Sequence, residues 1–164
     1  MGEPIHTVAI LVANPALSSI LSMALAGAPS LRVRPFDTQL ALTTYLRLAP
    51  ADLVVADFDS VPSRADLLAS ELRADRSIQT RDLQIIALAS ALTPETKRAS
   101  IHAGIDEIIM KPMSPKYLVE RVLARLAQRP EELVPERRLV ASKQDWARFG
   151  DNVVMFRREP QPQH

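Results

Sequence analysis

Cysteine is absent from this 164-residue sequence. Disulfides, thiol catalysis and thiolate metal sites are therefore excluded, and redox chemistry does not discriminate between compartments. Glycine is scarce, with four residues, and none belongs to a Gly-rich phosphate-binding loop. Aromatic residues make up 4% of the chain, too few for a platform that stacks single-stranded nucleic acid. Net charge is nearly missing too: 20 Lys and Arg against 19 Asp and Glu leave +1. That balance offers neither a broad basic field for nucleic acid nor an acidic tail. Long apolar runs are lacking. No stretch is long enough to span a membrane, and the run after His6 is broken early by Asn14 and Pro15, without the basic start of a signal peptide. The expected location is cytoplasmic.

What is present is an alternation of short apolar runs and helical periods from Thr7 to Gln128. Thr7 to Ala13, Leu31 to Pro35, Asp52 to Asp57, Ile85 to Ala89 and Ile105 to Met110 read as five strands, most of them buried on both faces. Pro15 to Ala26 reads as a first helix, with Leu17, Ile20, Leu21, Ala24 and Leu25 inward. The second starts near Thr38, with Asp37 as N-cap and Leu40, Leu42, Tyr45 and Leu46 inward. Leu67, Leu68 and Leu72 mark the third, and Pro94 to Ala103 the fourth, behind Thr93 and before a left-handed Gly104. In the fifth, Pro115 to about Ala127, the spacing buries Leu118, Val122, Leu123 and Leu126 and exposes Glu120, Arg121 and Arg125.

Five strands alternating with five helices predict an α/β fold, a doubly wound five-stranded parallel sheet of (βα)5 flavodoxin-like type. Ligand chemistry in such sheets lies at the carboxyl ends of the strands, here near Asn14, Asp57, Ala89 and Lys111. Residues 1–128 form the expected domain. Residues 129–164 read as an extension that is flexible or docks on a partner, with Trp146, Phe149 and Phe156 as apolar anchors.

The third strand with its terminal Asp57, the AGIDEIIMKP segment (Ala103 to Pro112) and the SPKYLVERV helix behind it resemble the receiver domain of bacterial two-component response regulators. The resemblance covers nearly all of Thr7 to Gln128. Its strongest element is Gly104 through Lys111-Pro112, similar to the family's G-x-D-x-x-x-x-K-P stretch. It implies that Asp57 accepts a phosphoryl group from a kinase histidine, that Lys111 contacts the phosphate, and that Mg²⁺ neutralises its oxygens.

The sequence departs from the family pattern at several coupled places. The acidic pair after strand one falls on Val12 and Ala13, or on Asn14 and Pro15 in a shifted register, and no Asp or Glu lies between Glu3 and Asp37. The strand-four hydroxyl position is Ala89, and alternation turns the adjacent Ser90 away unless the backbone bends. The strand-five aromatic position is Ile108, and Pro62 comes one residue late after Asp57. Mg²⁺ would then rest on Asp57 with the backbone carbonyl of Asp59, a weakened site.

Two readings of Asp57 stand side by side: a phosphoacceptor, or a retained carboxylate paired with Lys111. The expectation is a divergent, pseudo-receiver-like signalling protein that acts through protein–protein contact. The alternative is a conventional receiver phosphorylated at Asp57 by a histidine kinase. A flavodoxin-like enzyme is disfavoured because no catalytic constellation appears, and a DNA-binding regulator because no helix-turn-helix pattern or basic stripe follows the domain. Expected partners are a histidine kinase, a phosphotransferase, a downstream target or a second copy. His6, His102 and His164 show no ligand spacing and read as surface histidines. Pro15 to Ser30 carries no charge, and Ser18, Ser22, Met23 and Ala26 suggest a contact face there.

Overall fold

A computed structural model describes residues 2–60, residues 63–128 and the backbone of 153–155. The chain runs β1 (His6–Leu11), α1 (Pro15–Ala26), β2 (Leu31–Phe36), α2 (Gln39–Leu48), β3 (Leu53–Asp57), α3 (Ala65–Ala74), β4 (Gln84–Ala89), α4 (Pro94–Ala103), β5 (Glu107–Met110), α5 (Pro115–Ala127) and β6 (Val153–Met155). The sheet order is β2-β1-β3-β4-β5-β6. The first five strands are parallel, as the alternating pattern predicts, and β6 adds an antiparallel edge beside β5. Part of the extension thus joins the sheet. Trp146, Phe149 and Phe156 lie outside the described residues.

Alternation along the strands splits the core into two layers. Val8, Ile10, Leu53, Val55, Ile86, Leu88 and Ile109 meet Leu21 and Leu25 of α1 and Leu118, Val122 and Leu126 of α5. On the opposite face Ala9, Leu11, Val54, Ala56, Ile85, Ala87 and Ile108 meet Leu42, Leu46, Leu68 and Leu72. Each fully buried large side chain contributes roughly 1.5–3 kcal/mol, and both layers are drawn from residues 8–126.

Local signals start and stop the helices. Asn14, Thr38, Thr93 and Ser114 each cap a helix by accepting a backbone N–H three residues on. The cap of α2 is therefore Thr38 rather than Asp37. α4 ends on Gly104 at φ 86°, where a side chain would be strained.

Several residues lie on the other side of their helix from the sequence expectation. Ile20, Leu40, Leu67 and Leu123 are exposed. Arg121 is 3% exposed, because Glu107 of β5 receives its guanidinium through bonds of 3.1 Å to Oε2 and 2.6 Å to Oε1. Arg125 is also drawn inward, donating to Gln84 Oε1 at 3.0 Å. On the other flank Arg73 of α3 donates to the carbonyls of Leu83 and Gly104 and to Asp106 Oδ2. Asp106 Oδ2 also accepts from Ile85 N. This network ties α3 and α5 to the amino ends of β4 and β5, away from Asp57.

Candidate functional site

The site is built on three consecutive strand ends. β3 is buried along its whole length and terminates in Asp57, whose side chain is 7% exposed. Phe58 N donates to Leu88 O at 2.6 Å, which keeps the chain beside β4 for one residue more. Asp59 N then turns back onto Asp57 Oδ1 at 2.9 Å, a local side-chain-to-backbone turn. Across the sheet Lys111 N donates to Ala89 O at 2.8 Å, which fixes the base of that side chain just beyond β5. Its Nζ lies 2.9 and 3.1 Å from Asp57 Oδ1 and Oδ2 and 2.9 Å from Asp59 Oδ2. Ser90, just beyond β4, donates to Asp59 Oδ2 from both N (2.8 Å) and Oγ (2.7 Å). The Lys111–Pro112 peptide is cis.

Charge and burial make this a mutually stabilised cluster. Partial burial raises the Asp59 carboxyl, but the Ser90 hydroxyl and Lys111 ammonium bonds, with Ser90 N, outweigh it and hold the group below its ordinary value. Burial likewise lowers Lys111, while its bonds to Asp57 and Asp59 outweigh that and raise it. Lys111 is thus held as a cation between two carboxylates. Beside it Leu17, Ser90, Lys111, Pro112 and Met113 line an open groove.

Asp57 and Lys111 come together as the strand-end argument places them. Ser90 corrects the expectation that it turns away: β4 ends at Ala89, so strict alternation no longer governs the next residue. The Asp59 carboxylate, rather than its carbonyl alone, belongs to the cluster. The sequence signal for it was present in the spacing of Asp57 and Asp59 and in a serine directly after β4. Ala89 and Ile108 are fully buried in the α2–α4 layer. Val12 packs in the α1–α5 layer, Ala13 is exposed without a polar side chain, and the Asn14 amide oxygen accepts from Leu17 N as a helix cap.

These residues fit Mg²⁺ poorly. The ion wants a near-octahedral set of oxygens, and the strand-one end supplies no carboxylate. The two available carboxylates are both engaged by Lys111. Among the described residues no group of three or more His, Cys, Asp or Glu is arranged to hold a metal.

α1 packs against α5 and β2. Of its proposed contact face, Met23 and Ala26 are exposed, whereas Ser18 and Ser22 are half-buried. Ile20 joins Met23 instead, the two being 51% and 75% exposed.

No family model matches the chain. It is 30% identical over 125 residues to the DNA-binding response regulator MtrA of Mycolicibacterium smegmatis, covering 73% of this chain and 50% of that protein. The chain carries a response-regulator receiver domain. The receiver spans about half the length of that relative. A putative response regulator from Chloroflexus aurantiacus superposes with a TM-score of 0.67 at 25% identity, over 77% of this chain and all of that one. A CheY-like receiver domain protein from Methanospirillum hungatei shares the fold, with a TM-score of 0.67 at 19% identity, over 75% of this chain and 94% of that one. The receiver is a signalling domain of two-component systems. No helix among the described residues is long and apolar enough to cross a membrane.

Proposed function

We propose that this receiver signals by binding a protein partner, with a phosphoacceptor site degenerate enough that Mg²⁺-dependent phosphorylation of Asp57 is not its switch. The observation that carries the reading is the position of Lys111 Nζ, within 2.9 Å of both Asp57 and Asp59, while strand one offers no carboxylate to recruit a cation. The ammonium already offsets one of the two carboxylate charges that Mg²⁺ would otherwise screen. The switching positions support the same reading. Ala89 has no hydroxyl to follow a phosphate, and Ile108 is packed in the core where an aromatic would be needed to rotate.

Output then falls to surfaces. The exposed, uncharged stripe of Ile20, Met23 and Ala26 on α1 is our candidate contact face for a kinase, a phosphotransferase, a downstream target or a second copy. DNA binding belongs to the name of the MtrA relative; for this chain the net charge of +1 favours a protein partner. The function test is incubation with Mg²⁺ and a small-molecule phosphoryl donor, followed by intact mass. The expected mass is unchanged. An added phosphoryl group that disappears in Asp57→Asn would restore the conventional phosphorelay reading.

A further inference from the structure

Among the described residues, the outer edge of β5 is occupied by Val153–Met155, in the register Glu107↔Met155, Ile108↔Val154 and Ile109↔Val153. Asp106 N donates inward to Ile85 O on β4, so alternation turns the backbones of Glu107 and Ile109 outward to β6. Without that strand the edge would present unpaired N–H and C=O groups, a template for another strand. It would also border Glu107 and Arg121, an ion pair that is now almost wholly buried. The described pairing at this edge is three residues long, and so short a pairing opens at low cost.

The path to the edge is long. α5 runs back toward the amino ends of the strands, whereas antiparallel β6 begins beside Ile109, near their carboxyl ends. The end of α5 and the start of β6 are thus about the length of α5 apart, about 20 Å for its 13 residues. From residue 128 to residue 153 a chain can reach up to about 80 Å. A second molecule can therefore deliver the same segment, in the same register and with the same hydrogen bonds.

We infer that the outer edge of β5 is a strand-binding site, and that the segment Val153–Met155 of a second copy fits it as the chain's own segment does. This interface is separate from the α1 face.

Two measurements test it. Both core layers lie within residues 8–126, so residues 1–128 are expected to retain the fold, which circular dichroism of that fragment checks. They also lack tryptophan, since Trp146 is the only one in the chain. A peptide of residues 145–158 then reports its own docking through Trp146 anisotropy. The expected result is a saturable rise with residues 1–128, weakened by about tenfold or more when the peptide carries Met155→Pro, which removes an N–H facing β5. No saturable rise, or equal binding of the proline peptide, overturns the strand site. In the full chain, deletion of residues 131–150 leaves a connector reaching only about 17 Å, too short to pair within one molecule. The expected outcome is a dimer that keeps slow amide exchange at Glu107 and Ile109. A monomer, or a dimer with those amides unprotected, overturns the exchange.

Discussion

Lys111 Nζ and Asp59 Oδ2 lie 2.9 Å apart, although their residues come from different strand ends, and the same ammonium binds both oxygens of Asp57. A cation tethered by the chain thus stands where a receiver site gathers negative charge. Removing it leaves the buried Asp57 carboxylate without its main partner. Lys111→Met is expected to destabilise the fold by about 1–3 kcal/mol. Asp57→Asn, which removes the charge that needs compensation, should cost less. Urea unfolding of both variants checks the order, and equal losses would show that the pair does not carry the local stability.

The pH dependence follows from the direction of the Asp59 shift. Its carboxyl is held below its ordinary value in the folded state, so the unfolded chain takes up the proton first on acidification. The stabilisation is fully present above the ordinary aspartate range, about pH 4, and fades as pH falls through the lower folded value. Lys111, raised when folded, keeps its contribution up to the ordinary lysine range and loses it only at higher pH. Asp59→Asn should therefore be less stable than the parent at neutral pH, with the gap in melting temperature closing below about pH 4. A gap independent of pH would contradict the cluster.

At the far end of β5 the Glu107–Arg121 pair is nearly sealed from water. Arg121→Met strands a buried carboxylate and is expected to cost about 3–5 kcal/mol. Combining it with Glu107→Leu should recover most of that loss, because a matched apolar pair needs no desolvated charge. A double variant as unstable as the single one would argue against this reading.

A side chain at Gly104 would be strained and would crowd Arg73. Its φ is 86°, and an added Cβ would stand 3.0 Å from Arg73 Cγ and 3.1 Å from Arg73 Nε. Gly104→Ala should cost at least about 1–2 kcal/mol from the left-handed backbone alone. It should cost more if Arg73 must release the Gly104 carbonyl. Arg73→Ala loses those bonds by a different route, so the double variant should fall short of additivity in thermal melts.

Much of this architecture was legible in the sequence because apolar runs and helical periods specify strands and helices independently of what they touch. Orientation was less legible. α1 has no charged residue to mark its outer face, so spacing alone set Ile20 inward, whereas it is exposed. Arg121 looked like a surface cation because its partner, Glu107, arrives from β5. Asp57 and Lys111 were visible as strand-end residues, whereas the Asp59–Ser90 bond depends on a loop geometry that follows the end of alternation. β6 was hidden for a related reason: three residues gain a strand only from the edge they meet.

The charge-free face of α1 gives a prediction about output. Met23→Glu and Ile20→Glu change exposed positions and should leave stability within about 0.5 kcal/mol. They should weaken capture of the cognate partner or lower self-association, as read by sedimentation. Both variants behaving as the parent would remove α1 as the contact face.

The central claim is that Lys111, Asp59 and Ser90 hold the site in a state that a phosphoryl mimic does not change. The direct measurement is thermal unfolding with and without Mg²⁺ and beryllofluoride, in the parent chain and in Asp57→Asn. A ligand bound at 100 times its dissociation constant adds about 2.7 kcal/mol and raises the melting temperature by several degrees. The account predicts no shift in either protein. A rise in the parent that is lost in Asp57→Asn would contradict it.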